Sequence, residues 1–162
     1  MANCLQAIGN FLANANAATA LALLNHVMHE LQQANQWMQQ HQAASDACQK
    51  YTAFAKMQST IAAINQMISS GLRDVSNLLN TIANLLDSTA KLFVLLAAIA
   101  SLVPVVGPAM AASLLSIAED FDAGAKAVRA LALAARVGSL QHEMIAARAD
   151  MESLYASVAA SI

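Results

Sequence analysis

Apolar residues recur along this chain in alternating steps of three and four, and no run alternates with a period of two, so helix is predicted almost throughout. Leu5, Ile8, Leu12 and Ala15, followed by Leu24, Val27, Leu31, Ala34 and Met38, trace a heptad stripe along a first helix over about 3–42, the spacing by which one helix seats on another. A break is expected at QAASDAC (42–48), with Ser45 as the cap and Asp46 in the positive first turn of the next helix. That second helix, over about 46–90, carries Leu72, Val75, Leu79, Ile82 and Leu86 on one stripe, with Asn77, Asn80, Asn84 and Asp87 facing away. The five apolar residues are the expected contacts of self-association. Ser69, Ser70 and Gly71 are its weak point, where a kink is cheap.

The pattern then loses its polar face. Residues 92–118, LFVLLAAIASLVPVVGPAMAASLLSIA, are twenty-seven consecutive positions without a charged side chain. Pro104 disfavours helical geometry at Val103, and Pro108, after Gly107, suits the first turn of a new helix. A corner is therefore predicted at 103–108 within an apolar hairpin, and a C-terminal helix over about 109–160. The last helix has Met110, Leu114, Ile117 and Phe121 on its first stripe and Leu140, Met144, Ala147, Met151, Leu154 and Val158 on its last. Gly124 and Gly138 are candidate bends. The expected fold is a single all-α domain, an elongated antiparallel bundle of long amphipathic helices around a central apolar hairpin.

Composition sharpens this picture. Charged residues make up 11% of the chain and apolar ones 58%, with a mean hydropathy of +0.50, against about 25% charged in an ordinary soluble domain. Aromatics are only 4%, so the apolar excess is aliphatic and favours helix packing. Eight basic residues scattered over a chain of net charge −2 form no cationic stripe, which excludes nucleic-acid binding as the expected role. No charged residue precedes Glu30, so the basic flank of a cleavable secretory signal is missing. Either a membrane-associated or a secreted protein exported by another route is expected, and a cytoplasmic location is also compatible.

Candidate chemistry is sparse. His26, His29 and Glu30 share a helical neighbourhood, but no Glu-x-x-His motif or further ligand completes a metal site. His41 and His142 stand alone. No GxSxG, P-loop or GxGxxG pattern occurs, Cys48 with His41 lacks an orienting carboxylate, and Glu119, Asp120 and Asp122 more simply end an apolar run. No cofactor is implied, and the protein is expected not to be an enzyme. If the first helix is straight, Cys4 lies roughly 60 Å from the turn before Cys48, beyond disulfide reach. Trp37 is expected to pack on a neighbouring helix, with anchoring at a lipid boundary as the alternative.

The arms of the hairpin, 92–103 and 109–118, have twelve and ten residues, short of the roughly 20 needed to span a bilayer. One kinked span, a hairpin dipping into one leaflet, or a hairpin buried in a bundle remain open. Acid favours insertion in this reading by protonating Asp87, Glu119 and Asp120. Long helices bearing Ala, Asn and Gln around an apolar hairpin resemble the α-helical pore-forming toxins and secretion-system translocators of bacteria. That resemblance implies a non-enzymatic protein that meets a lipid bilayer and oligomerises, with partner helices or a chaperone as further partners. The expected membrane contacts are Leu92, Phe93, Val94, Leu95, Leu96, Ile99, Leu102 and Val103 on the first arm, Pro104, Val105, Val106, Gly107 and Pro108 at the corner, and Met110, Leu114, Leu115 and Ile117 beyond it. A self-assembling filament or bundle subunit, or a soluble lipid-binding module, are the alternatives.

Overall fold

The computed structural model describes the backbone from residue 2, and side chains at residue 22 and from residue 24 onward. Three α-helices follow one another: α1 (Ala2–Ala43), α2 (Ala47–Ala100) and α3 (Gly107–Ser161). No strand occurs among the described residues, and the protein is all-α. Cys4 and the expected stripe at Leu5, Ile8, Leu12 and Ala15 lie outside the described side chains.

Local chemistry sets the helix ends. Asp46, not Ser45, caps α2: its Oδ2 accepts the Gln49 amide at 3.2 Å, placing a carboxylate at the positive end of the helix. At the far end α2 continues to Ala100 rather than stopping near residue 90, because the run from Ala90 to Ala100 contains no glycine, proline or capping residue. The SSG sequence at 69–71 stays helical.

The chain divides into two compact units. Unit 2 comprises residues 72–138 and is a helical hairpin made of the later part of α2, a corner at 101–106 and the first part of α3. Its seam is built from small residues. Ser76, Ala83, Ala90 and Ala97 follow one another at steps of seven on α2, as do Ala111, Ala118, Ala125 and Ala132 on α3, and all eight are buried. The Ser76 hydroxyl donates to the Ala132 carbonyl at 2.8 Å, while Ala97, Ala100 and Ala111 form one apolar cluster with Leu114 against it. These contacts fix an antiparallel register in which Ala83 faces Ala125 and Ala90 faces Ala118. Methyl-sized side chains let two helix backbones approach closely, and the attraction is then dispersion between backbones more than burial of large groups.

Larger residues lie beside this seam. A Cβ on Gly138 would sit 3.2 Å from Leu72 Cδ1, so this glycine makes room for an α2 leucine, whereas one on Gly124 would meet Leu86 Cδ1 at an ordinary 3.7 Å; α3 runs through both positions. Phe93 stacks on Phe121 with ring centroids 5.6 Å apart. Of the residues expected at a self-association face, Leu72, Leu79, Ile82 and Leu86 are half-buried in this unit, and Val75 is exposed.

Unit 1 comprises residues 1–71 and 139–162, and its α2 and α3 segments meet by the same device. Ser153 donates to the Ala55 carbonyl at 2.9 Å, the Ser69 and Ser139 hydroxyls bond at 2.9 Å, and Cys48 Sγ donates to the Ala160 carbonyl at 3.2 Å. The buried Ala62 and Ala146 fall between these rungs. Ser69 also donates to Glu143 Oε1 at 3.0 Å, and the His142 ring bonds Asn65 at 2.7 Å. Polar rungs make the possible registers of an otherwise uniform alanine seam unequal. In the same unit α1 packs on α2 through His41, which bonds the Lys50 carbonyl and meets the Phe54 ring, and through Trp37, whose ring lies 4.5 Å from Lys56 Nζ. Trp37 is therefore a packing residue with a cation–π partner.

Candidate functional site

At the end of unit 2 the usual distribution of side chains is inverted. Ala97, Ala100, Gly107 and Ala111 are buried, whereas Leu92, Val94, Leu95, Leu96, Ile99, Leu102, Val103, Val105, Val106, Met110, Leu115 and Ile117 are exposed. Leu102 is 81% and Val105 96% exposed. Among the other expected contacts, Pro104 and Pro108 are also exposed, Phe93 and Leu114 are half-buried by Phe121 and the alanine cluster, and Gly107 is buried. An apolar surface of this extent is well beyond the scattered single residues ordinary for a soluble protein.

The corner satisfies most of its own backbone. Ser101, Leu102, Val103, Val106 and Gly107 all donate their amides to main-chain carbonyls between Ala97 and Pro104. The Val106 amide bonds the Pro104 carbonyl at 2.9 Å across Val105, which adopts φ 74°. This is a tight three-residue turn centred on a β-branched residue in the left-handed region, a strained arrangement. Gly107 is required by close approach: a Cβ there would lie 2.4 Å from the Ala100 carbonyl oxygen. The corner thus begins at Ser101 and α3 at Gly107, slightly earlier than the proline positions alone suggest.

Below the apolar end lies a belt of charge. Asp87 is bridged by Arg129, which also reaches Asn84 at 3.4 Å, and Asp122 pairs with Lys126 at 2.6 Å. Asp87, Asp122 and Arg129, with Lys91 and Glu119, border an open groove of about 560 Å³ whose apolar side is Val94 and Leu115. The hydrogen bond from Arg129 holds the Asp87 carboxyl below its ordinary value, and the Asp122 hydrogen bond raises Lys126. Of the carboxylates expected to be protonated on insertion, Asp87 therefore keeps its charge to a lower pH than an ordinary aspartate.

Compared with protein-family models, curated proteins and solved structures, the chain has no match. By length and composition α2 is apolar enough to cross a membrane: an 18-residue window has mean hydropathy 1.7, with 17% of it buried. The other chemical candidates are dispersed. His29 bonds Gln33, His41 belongs to the α1 contact, His142 to the Asn65 pair, and Cys48 is an exposed thiol in the unit 1 seam. Among the described residues no three His, Cys, Asp or Glu side chains converge on a common point.

The sequence reading missed the small-residue seam, although its signal was present as Ala or Ser at every seventh position from Ala55 to Ala97 and from Ala111 to Ser153. The large apolar side chains that form the stripes flank this contact instead.

Proposed function

We propose that the protein is a non-enzymatic, membrane-associating helical protein that docks through the apolar end of unit 2, with its long helices serving self-association. The observation that carries this reading is the inversion just described: alanines fill the seam of the hairpin while leucines, valines and isoleucines point outward. A seam of small residues suits an apolar medium, where helix association relies on close packing because burial of large side chains gains nothing. The hydrogen-bonded corner adds to this, since backbone groups entering hydrocarbon need internal partners.

Dimensions favour one leaflet. From Leu92 to Ala100 and from Gly107 to Ala118 the charge-free arms run about 14 and 18 Å at 1.5 Å per residue, against roughly 15 Å for half the hydrocarbon thickness. Eleven exposed Leu, Ile and Val side chains between Leu92 and Ile117 offer about −3 to −7 kcal/mol toward insertion at roughly −0.3 to −0.6 each. Lys91, Glu119 and Asp120 then lie at the headgroup level.

Flotation with phosphatidylcholine liposomes tests the proposal. Wild-type protein is expected to float, and Leu102→Asp with Val106→Asp to remain at the bottom, because each central charge costs about 2.5–3.5 kcal/mol on the insertion scale. A wild-type protein that never floats, at neutral or acid pH, overturns it.

A further inference from the structure

Among the described residues of unit 1, one helix face has no covering neighbour. On α3, Leu140, Met144, Ala147, Met151, Leu154 and Val158 follow one another in alternating steps of four and three, and all six are exposed, Met144 to 74%. They lie on a different face of α3 from Ser139, Ala146 and Ser153, which meet α2. The spacing places Leu140, Ala147 and Leu154 at d and Met144, Met151 and Val158 at a, the alternation of a two-stranded seam. We infer that a second copy of this chain covers this face, pairing with it parallel and in register. The inference deepens the self-association included in the proposed function and rests on it.

Charge on the edges of the stripe selects both the occupant and its direction. The g positions are Glu143, Asp150 and Ser157, and the e positions are Gln141, Arg148 and Tyr155. In a parallel pair each g residue faces the e residue of the following heptad on the other helix. Glu143 of one copy then meets Arg148 of the other, twice by symmetry, and Asp150 meets the Tyr155 hydroxyl. Glu143 also accepts hydrogen bonds from Ser69 and Ser139 through Oε1, and Arg148, whose side chain is 79% exposed, exchanges its local partner Glu152 for the new one. The antiparallel pairing that places Met144 on Leu154 and Met151 on Ala147 sets Arg148 against Arg148 and Asp150 against Asp150. Like charges across a seam oppose it. The parallel sense also keeps like ends of the two chains together.

Sedimentation of the full chain, read with cysteine crosslinking in a Cys4→Ser, Cys48→Ser background, tests this. The wild type is expected to sediment as a dimer or a higher even assembly, and Met144→Lys, on a side chain the fold does not bury, as a monomer. Arg148→Glu alone and Glu143→Lys alone each set like charges across the seam and weaken association roughly tenfold. An equimolar mixture of the two restores it, because the mixed pair has both bridges with opposite signs. Leu154→Cys is expected to crosslink to itself. A wild type that stays monomeric, a mixture that associates no better than its components, or crosslinking confined to Leu140→Cys with Val158→Cys overturns the inference. Flotation of the same variants separates the two readings: a monomer that floats sinks only the seam, and a dimer that does not float sinks only the membrane reading.

Discussion

Replacing Ala83 or Ala125 by leucine separates a close-packed alanine seam from an ordinary one by the sign of the effect. Both residues are 0% exposed, and the register set by Ser76 with Ala132 places them opposite each other. In a conventional helix pair an alanine facing an alanine leaves a hole, and leucine would fill it with a gain of about 0.8 kcal/mol per added carbon, roughly 2 kcal/mol in all. Helix propensity contributes only a few tenths either way. Where the helices already touch, the added atoms force them apart, at a cost of about 1–3 kcal/mol per site. Ala83→Leu and Ala125→Leu are each expected to destabilise by that amount. The double variant should cost less than the sum, because once the helices separate the second leucine has room. Urea unfolding followed by circular dichroism reads this as a lower midpoint at unchanged slope. Leu85→Ala, at a residue 63% exposed, is the control and should move stability by less than about 0.5 kcal/mol. A raised midpoint for Ala83→Leu would refute the close-packed seam.

Other outcomes follow from the corner and the charged belt. Val105→Gly removes a β-branched residue from φ 74° and should stabilise by about 1 kcal/mol, read in the same urea titration; destabilisation would contradict the strained turn. Gly107→Ala drives a methyl against the Ala100 carbonyl oxygen and should cost about 1–3 kcal/mol, since the obstruction is backbone and cannot rotate away. Because Arg129 lowers the Asp87 carboxyl from its ordinary 3.8, their bridge contributes stability above that value and loses it as pH falls through the lowered one. Arg129→Gln should therefore destabilise by a constant amount from neutral pH down to about 4, and the difference from wild type should vanish below that. A difference that disappears at a higher pH would show that the bridge is not what lowers Asp87.

Much of this fold is legible in the residues, and the remainder is hidden for identifiable reasons. The all-helical class follows from the three-and-four spacing, and the corner from Pro104, Gly107 and Pro108. Asp87 and Lys91 look like the end of α2, although nothing there breaks a helix and it runs on to Ala100. Asp46 rather than Ser45 caps α2 because either residue type can cap, and only the hydrogen bond decides. The antiparallel hairpin is legible too, but not which residues make its α2–α3 contact. Hydrophobic stripes identify the inside of a helix pair only when large residues are inside, and in this protein the sevenfold repeat of Ala and Ser marks the contact. That same choice pushes Leu85, Leu131, Leu133 and Met144 outward. The 92–118 run is plainly apolar, but its composition does not reveal that its leucines face away from the partner helix.

The most direct test of the account is the depth of Val105. An environment-sensitive nitrobenzoxadiazole label at Val105→Cys, in the Cys4→Ser, Cys48→Ser background, reports whether this residue, 96% exposed in the folded chain, leaves water when phosphatidylcholine vesicles are added. The account predicts a blue-shifted, brighter emission quenched by lipids brominated along their acyl chains, with no change for the same label at Ser157→Cys. Emission at position 105 that stays water-like at every lipid concentration, at neutral and at acid pH, would contradict it.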